Sequence, residues 1–414
     1  MRATTLLNGL LDLPGITARG VSLPQPGQLV VEVALRRQRL LCPECGWSTR
    51  ARYDRRSVAS RWRHLDFGRR QVQIRAQLRR LCCPVHGVRT EAVPFARPGA
   101  GFTRDFEDLV AWLATKMDKT AIVRYARIDW DTVGRICERV VADGLDESRF
   151  DGLVSIGVDE VSWKRNHHYL TLVCDHAARK VIWGAPGKDA DTLDAFFAEL
   201  GEDRSAALEA VSSDMGAAFL KSIKTNAPRA TRCIDPFHAV KAVTDALDTV
   251  RRTAWQQMRT TDPAAAKKFK GARWALLKRP DHLTEEQATT LRKLRRRGGE
   301  VWRAYGLREA FRAIFAGDLN PDDVAELIDR WISKASRSRL APFVKAAKTI
   351  RKHRDGILAA IRLKINNGRA EALNNVVRLI IRRAFGFHSA QAALALVMLT
   401  CGPITLQLPH EHAP

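Results

Sequence analysis

In two stretches near the N-terminus, apolar residues occupy every second position. Leu29, Val31, Val33 and Leu35 recur at every second position, and residues 72–78 repeat the pattern with glutamine and arginine in between. A period of two is typical of a half-buried β-strand. We therefore predict two strands within the first hundred residues, the second of which has one solvent-facing, basic side.

Three helical patterns follow residues 94–101, where proline and glycine favour a linker. Thr103 and Asp129 are suited to cap the first and last of these helices. Short helices joined by tight turns favour a helix-turn-helix, and a generic helical connector is the alternative. The three patterns lie at residues 103–115, 119–126 and 131–141.

The centre of the chain alternates strand and helix patterns. An apolar run at residues 152–158 predicts a buried strand that ends at Asp159 and Glu160. With the patterns that follow, the predicted order is strand, strand, strand, helix, strand, helix, strand, helix. This is the order of a ribonuclease-H-like domain. In that layout the first and fourth strands end side by side, so Asp159 should lie against Asp214. The later patterns lie at residues 168–175, 180–184, 191–200, 208–213, 217–225 and 231–235, with a helix opening at Pro236.

Residues 251–348 show no strand pattern in the sequence and are dominated by lysine, arginine, alanine, leucine and tryptophan. Such a segment between two acid-bearing regions predicts an all-α insertion that lies on nucleic acid. A solvated helical face is the alternative.

The last region of interest is a predicted helix at residues 366–382. Glu371 lies there and is the only acid between Asp355 and Glu411. A salt-bridge partner for the surrounding arginines is one interpretation, and a metal ligand beside bound phosphate is the other. The helix places apolar Leu373, Val376, Val377, Ile380 and Ile381 on one face and Glu371, Asn375, Arg378 and Arg382 on the opposite face.

Composition restricts the class of protein. The 414 residues carry 69 Lys and Arg against 45 Asp and Glu, a formal net charge of +24. An excess of this size indicates a polyanionic partner, most simply nucleic acid. The apolar stretch at 392–401 is too short to span a bilayer, and residues 1–16 are too polar for a signal peptide, so we expect a cytoplasmic, nucleoid-associated protein without a membrane partner.

Two matched turns follow the two N-terminal strands. The first is Cys42-Pro-Glu-Cys45-Gly and the second is Cys83-Pro-Val-His86-Gly. A two-residue spacer lets both ligands of a turn face one ion, so the pair predicts a tetrahedral Cys3His zinc site of structural type. Cys82 is a rival third ligand, although Cys83 has the correct spacing to His86. Ordinary turns with buried thiols are the alternative.

Arginines surround the two turns with few acids between them. Guanidinium groups bind phosphate oxygens in pairs, so this ribbon is expected to contact DNA, and a merely solvated face is the alternative. The arginines concerned are Arg50, Arg52, Arg55, Arg56, Arg61, Arg63, Arg69 and Arg70.

Asp159, Asp214 and Glu371 together predict a magnesium-dependent phosphoryl-transfer site, because hard cations prefer oxygen ligands. Alone, Asp159 is equally well a solvated acid that closes a strand, and Asp214 a helix N-cap. Asp235 has the same alternative before Pro236, and His238 is either near phosphate or simply packed.

The chain resembles bacterial insertion-sequence transposases of the DDE class, most closely the ISL3 family. The resemblance covers nearly the whole length. Its motifs are Gly157-Val-Asp159-Glu160, Ser212-Ser-Asp214-Met215, Asp235-Pro-Phe-His238, Asn367-Gly-Arg-Ala-Glu371-Ala-Leu-Asn374-Asn375 and Arg383-Ala-Phe-Gly386-Phe387. His86 departs from the family pattern, in which a fourth cysteine is commoner.

This resemblance implies a DDE transposase whose triad is Asp159, Asp214 and Glu371 with Mg²⁺ or Mn²⁺. It would bind double-stranded DNA, both terminal inverted repeats and target, as a homodimer or higher oligomer. Asn375, Arg378, Arg382 and His238, with Arg69 and Arg70, would contact that DNA. A nuclease without strand transfer and a non-enzymatic DNA-binding regulator are the rival functions.

The implied fold is multidomain α/β, with a ribonuclease-H-like catalytic domain interrupted by the helical insertion. Its expected parts are a zinc ribbon at 1–93, a helix-turn-helix at 94–150, the first catalytic part at 151–250, the insertion at 251–350, and helices with the last acid at 351–414.

Overall fold

The structure is a computed structural model that describes residues 3–317, 319–365, 368–384 and 386–411, with the side chains of residues 3, 368–372 and 374 left out. The chain divides into two compact units. The first joins Met1–Arg149 to Leu379–Pro414, and the second is Phe150–Arg378. Both contain helices, and sheets lie in each, so the fold is of mixed α/β type.

The first unit opens with α1 (Ala3–Leu11) and a four-stranded sheet. The two predicted strands are confirmed, and they are neighbours that run parallel. Val31 and Ile74 face the core with no exposed surface, and Trp62 packs edge-on against Phe95. The sheet has the order β1 (Ile16–Ser22), β2 (Gln28–Leu35), β7 (Arg70–Ala76), β6 (Ser60–Phe67).

Short strands hold the two cysteine-containing turns. The alternation seen at residues 72–78 does not form one long strand, because β7 ends at Ala76 and the next strand begins at Arg79. Two small sheets result, β3 with β4 and β5 with β8 and β9. Their bounds are β3 Leu40–Leu41, β4 Ser48–Thr49, β5 Asp54–Arg55, β8 Arg79–Cys83 and β9 Gly87–Thr90.

Residues 94–101 form no regular helix or strand, which agrees with a linker, but part of this segment is firmly packed. Phe95, Ala96 and Arg97 are all buried, and the buried Arg97 guanidinium bonds to Asp108 at 2.7 Å and Asp143 at 3.0 Å. Apolar packing and ion pairs therefore fix this segment against the helices that follow.

The three predicted helices are confirmed as α2 (Arg104–Lys116), α3 (Lys119–Ala126) and α4 (Trp130–Gly144). Thr103 caps α2 as expected, since its side chain accepts from the Phe106 amide. Asp129 holds the cap position of α4 without a side-chain hydrogen bond. A later helix, α16 (Ala390–Cys401), packs against α2 and α4 through Ala395 and Leu399.

The second unit contains a five-stranded sheet in the order β12-β11-β10-β13-β14. β10 runs antiparallel to β11 and parallel to β13, and β13 runs parallel to β14. The predicted order of elements is confirmed, with one further helix, α6. The bounds are β10 Ser155–Lys164, β11 His168–Asp175, β12 Lys180–Pro186, α5 Ala190–Leu200, α6 Glu202–Ala207, β13 Ala210–Ser213, α7 Ala217–Asn226, β14 Thr231–Ile234 and α8 Pro236–Thr261.

Helices make up the rest of the second unit, as the sequence predicts for the described part of residues 251–348. They share a large core that includes Phe311, Phe343 and Ile350. Gly356 permits α14 to approach β14, since a Cβ there would lie 2.8 Å from Ile234 Cγ1. The helices are α9 Pro263–Lys270, α10 Arg273–Leu277, α11 Glu285–Arg297, α12 Gly299–Ile314, α13 Pro321–Ser336, α14 Ala341–Arg362 and α15 Gly368–Arg383.

The described residues also contain short 3-10 helices at Glu147–Phe150, Pro280–His282 and Pro409–Glu411. Within the described ranges, the helices are either too short or too polar to cross a bilayer.

Candidate catalytic and metal sites

The parallel pairing of β10 with β13 brings two of the predicted acids together. Gly157 is the register partner of Ser212. Asp159 lies two residues beyond Gly157 within β10, and Asp214 lies two residues beyond Ser212, directly after the end of β13. Both side chains are half-buried. The expectation that the ends of these two segments lie side by side thus agrees with the register.

Glu160 shares this environment. Burial raises the pKa of the Glu160 carboxyl, and the nearby Asp214 and Asp159 raise it further, whereas Lys188 and Lys241 act in the opposite direction. Carboxylates that crowd together disfavour one another's charged form, and a bound cation relieves that repulsion. The edge of the sheet is therefore rich in negative charge, with two lysines close by.

β10 does not end at Asp159, as the run of apolar residues followed by two acids suggests. It continues to Lys164, because Val161 and Trp163 are buried and the strand remains paired with β11 as far as His168. Asp159 therefore lies within a strand, beyond the last residue that pairs with β13.

Asp214 is held by the turn that follows β13. Its Oδ1 accepts a hydrogen bond of 2.8 Å from the Gly216 amide. Gly216, and not Asp214, is the N-cap residue of α7, and a Cβ at Gly216 would lie only 2.7 Å from Asp214 Oδ1. The glycine thus leaves room for the carboxylate at the strand end.

Asp235 is the N-cap of α8, where its carboxylate accepts from the Phe237 amide at 2.9 Å, so the capping interpretation is confirmed. His238 lies in the first turn of α8, half-buried beside the exposed ring of Phe237. The approach of His238 to phosphate stays a prediction.

Two residues near Asp214 were missed by the sequence analysis. Arg232 on β14 donates to Nδ1 of His353 on α14 at 2.9 Å. Burial and the neighbouring Arg232 lower the pKa of His353, while Asp214 raises it. These residues are 121 positions apart, and neither lies in a motif that would signal the contact.

Glu371 is the fourth residue of α15, but its side chain is outside the described part of the chain. Further along the helix Asn375, Arg378 and Arg382 are exposed, as predicted, and Arg378 donates to Asn375 at 3.4 Å. Val377 and Ile380 are buried on the apolar stripe, whereas Val376 is exposed. The third acid therefore stays a prediction.

The four predicted zinc ligands come together in the first unit. The ligand atoms of Cys42, Cys45, Cys83 and His86 all lie within 4.8 Å of one another. His86 Nδ1 is 3.7 Å from the sulfur atoms of both Cys42 and Cys83, and the sulfur atoms of Cys45 and Cys83 are 3.6 Å apart. This donor set suits one tetrahedral ion.

The turns are shaped as the motif predicts. Gly46 and Gly87 both have a φ of 69°, a left-handed conformation that glycine adopts without strain. Burial opposes ionisation of Cys42, but the Glu44 and Cys45 amides donate to its sulfur and keep its pKa below the ordinary value. Thiolates are the form that binds a metal.

Glu44 completes the surroundings of the cluster. Its carboxylate lies 3.5 Å from His86 Nε2 and also bonds to Arg89. Because Nε2 faces the carboxylate, Nδ1 is the nitrogen left for a metal. Cys82 is exposed and lies outside the cluster, so the geometry favours Cys83 over Cys82 as the third ligand.

Most arginines of the predicted basic ribbon are exposed, whereas Arg63 is half-buried and paired with Asp66. The exposed members are Arg50, Arg52, Arg55, Arg56, Arg61 and Arg69. Arg69 and Arg70 lie at the turn between β6 and β7, where Arg69 is exposed and Arg70 half-buried.

Comparison with known proteins agrees with this architecture. A family model described as "Transposase" matches residues 156–396, and one for the "Helix-turn-helix domain of transposase family ISL3" matches residues 91–141, which include α2 and α3. The first match spans nearly all of the five-stranded sheet, and the second spans α2, α3 and most of α4.

Two relatives align over most of their lengths. The transposase for insertion sequence element IS1557 of Mycobacterium tuberculosis is 40% identical over 392 residues, 90% of this chain and 88% of the relative. The transposase for insertion sequence element IS1001 of Bordetella parapertussis is 27% identical over 354 residues, 85% of this chain and 86% of the relative. The chain therefore belongs to the ISL3 family of DDE transposases.

Proposed function

We propose that this transposase binds the terminal inverted repeats of an insertion sequence and catalyses Mg²⁺-dependent DNA cleavage and strand transfer. The catalytic carboxylates are Asp159, Asp214 and Glu371. The observation that carries the proposal is the parallel register of β10 and β13, which sets Asp159 and Asp214 at neighbouring positions.

A ribonuclease-H-like fold for the second unit has support in its sheet. Three antiparallel strands precede two parallel ones, and helices separate the later strands. We infer that residues 151–250 and the part of 351–414 that lies in the second unit, up to Arg378, contribute to one catalytic domain, and that residues 251–350 are a helical insertion. The segment from Leu379 onward, expected in the same domain, belongs instead to the first unit. The zinc ribbon at 1–93 and the helix-turn-helix at 94–150 are then the DNA-binding parts.

The donor set fits magnesium. Carboxylate oxygens are the ligands that Mg²⁺ and Mn²⁺ prefer. Burial raises the pKa of Glu160, and Asp214 and Asp159 raise it further, which indicates that these acids lie near one another. Asp159, Asp214 and Glu371 would hold the ions. Bound there, Mg²⁺ would lower the pKa of an attacking water and stabilise the leaving 3′ oxygen of a DNA phosphodiester.

The protein's own residues position the DNA around this centre. Lys188 and Lys241 offset the charge of the carboxylates, and the ammonium group of Lys188 lies 4.1 Å above the ring of Tyr169, which fixes its position. Asn375, Arg378 and Arg382 form an exposed polar face on α15 that suits the phosphate backbone. His238 would approach the same phosphates from α8.

Zinc in the Cys42, Cys45, Cys83 and His86 cluster would be structural. Four protein ligands leave no open position for substrate, so the ion would hold the two turns and their arginines in place. Arg69 and Arg70 would contact the element end. Joining two element ends to one target calls for a homodimer or higher oligomer on the DNA.

The test is a strand-transfer assay with a duplex that ends in a free 3′-hydroxyl at the repeat, a supercoiled target plasmid and Mg²⁺. The proposal predicts joined products with the wild-type chain and none with Asp159→Asn. A protein that cuts DNA but never joins the 3′ end is a nuclease, and one that binds without cutting is a regulator. Either result contradicts strand transfer.

A further inference from the structure

The outward face of α4, the third helix of the helix-turn-helix, is not basic. Its exposed and half-buried positions include Asp131, Arg135 and Glu138, and Arg135 is already bonded to Thr132 at 3.2 Å. Arg139 donates to the fully buried Glu107 at 2.6 and 2.8 Å. A helix that docks in the major groove needs positive charge near the phosphates, which this face lacks.

Positive charge is concentrated instead where the β6–β7 turn meets α3. Arg127 at the end of α3 bonds to Asp66 at the end of β6. A cleft of about 340 Å³ runs between these elements and α2, and Gly68 and Tyr125 both line it. We call residues 63–70 and 123–128 together the composite surface.

The composite surface has a strongly positive balance. It contains five arginines and one acid, and that acid, Asp66, is paired with two of the arginines. Arg69 and Arg124 are exposed. The arginines are Arg63, Arg69, Arg70, Arg124 and Arg127. Charge of this density is complementary to the phosphates of a duplex.

Two large aromatic side chains stand among these arginines. Phe67, beside Gly68 at the tip of the turn, is 57% exposed, and Tyr125 on α3 is 66% exposed. Gly68 has a φ of 58°, which forms the tight turn that presents Phe67. Exposed apolar side chains flanked by arginines are suited to enter a minor groove and pack against a base step.

The two halves of the composite surface are rigidly joined. The Arg63 amide donates to Gly101 at 2.8 Å, and the Thr103 amide donates to Arg63 at 2.9 Å. His64 Nδ1 and Thr103 Oγ1 share a hydrogen bond of 2.8 Å, with His64 buried. Strand β6 is thus anchored at the start of α2, so the turn and α3 keep a fixed spacing.

We propose that the composite surface, rather than the outward face of α4, grips duplex DNA at the element end, with Arg69 and Arg124 on phosphates and Phe67 in the minor groove. The proposal rests on the proposed binding of inverted repeats and names the part of the protein that performs it.

The first test compares arginines on the two candidate surfaces. Binding of the full chain to a duplex of the sequence flanking its gene is measured by fluorescence anisotropy over a range of salt concentrations. Arg69→Gln and Arg124→Gln should each reduce the slope of log K against log salt by about 0.9, while Arg135→Gln leaves it unchanged. The opposite pattern, with an effect of Arg135→Gln alone, overturns the proposal.

The second test concerns the aromatic side chain. Phe67→Ala should weaken binding by about tenfold with the salt slope unchanged, because a base-step contact carries no charge. Leu10→Ala is the matched control, since Leu10 is 54% exposed and lies on α1, outside the composite surface, and it should bind like the wild type. If Phe67→Ala binds with wild-type affinity, Phe67 does not enter the minor groove and that part of the proposal is wrong.

Both tests stand apart from the catalytic proposal. Exposed substitutions of this kind change stability by only about 0.5 kcal/mol, so the variants should fold. Substitutions on the composite surface are expected to lower affinity for the duplex, whereas loss of a catalytic carboxylate removes cleavage and leaves binding.

Discussion

The zinc cluster allows a prediction in which two adjacent cysteines serve as test and control. Cys83→Ser removes a ligand, whereas Cys82→Ser changes an exposed thiol on the same strand that lies outside the cluster. We expect Cys83→Ser to lose zinc and the order of both turns, and Cys82→Ser to keep them.

The magnitude follows from the size of the local core. Apart from its two cysteines, the cluster of buried residues here consists of Leu40 and Leu81. Two buried leucines contribute about 3–6 kcal/mol. Ordering the eleven residues of the turns, 42–47 and 83–87, costs about 11–22 kcal/mol in backbone entropy. The difference between this entropy cost and the contribution of the two leucines is comparable with the roughly 10–16 kcal/mol of binding free energy that a structural zinc ion supplies.

The assay combines metal content with limited proteolysis. Purified Cys83→Ser should contain less than one zinc per chain and be cut within residues 42–47 or 83–87, while its four-stranded sheet, with its separate core, stays protected. Cys45→Ser should behave likewise and weaken binding to the element end. If Cys83→Ser kept full zinc and uncut turns, or Cys82→Ser lost them, the ligand assignment would be wrong.

Two further predictions concern stability. Burial lowers the pKa of His64 to about 4, and the charge of Arg63 contributes to this shift. Between about pH 6.5 and pH 4 the unfolded chain therefore binds a proton that the folded chain does not. The contribution of His64 to the free energy of unfolding should be complete above pH 6.5 and fall by about 3 kcal/mol toward pH 4. Thermal unfolding of His64→Gln should show a shallower pH dependence over this window, and an equally steep one would refute the assignment. Gly356→Ala should destabilise the second unit by about 1–3 kcal/mol, because the new Cβ would press on Ile234. Gly306→Ala, in α12, should instead stabilise the second unit by about 0.5–1 kcal/mol, because a Cβ there would meet no other atom within 4 Å. Equal effects of the two substitutions would exclude the close approach of α14 to β14.

Local sequence patterns predict many of the helices and strands. The strands around Val31 and Ile74 have a clean period of two, and the caps of α2 and α8 were marked by Thr103 and Asp235, whose side chains bond to the backbone as expected. The zinc ligands could be predicted because a repeated turn motif places donors by local geometry alone.

Local composition is least informative where tertiary contacts decide the structure. Proline and glycine at 94–101 predict a linker but give no sign that Phe95 and Arg97 are buried by partners distant in sequence. Two consecutive acids suggested the end of β10, although Val161 and Trp163 continue its alternation, a signal that was present in the sequence. The contact of Arg232 with His353 leaves no trace in either local sequence.

The most direct test of the account measures Mg²⁺-dependent cleavage of an element-end duplex in single turnover by Asp214→Asn. The matched control is Asp203→Asn, an exposed acid in the first turn of α6. The account predicts that Asp214→Asn binds the duplex with wild-type affinity and does not cleave it, while Asp203→Asn does both. Cleavage by Asp214→Asn at the wild-type rate would contradict the assignment of the catalytic carboxylates.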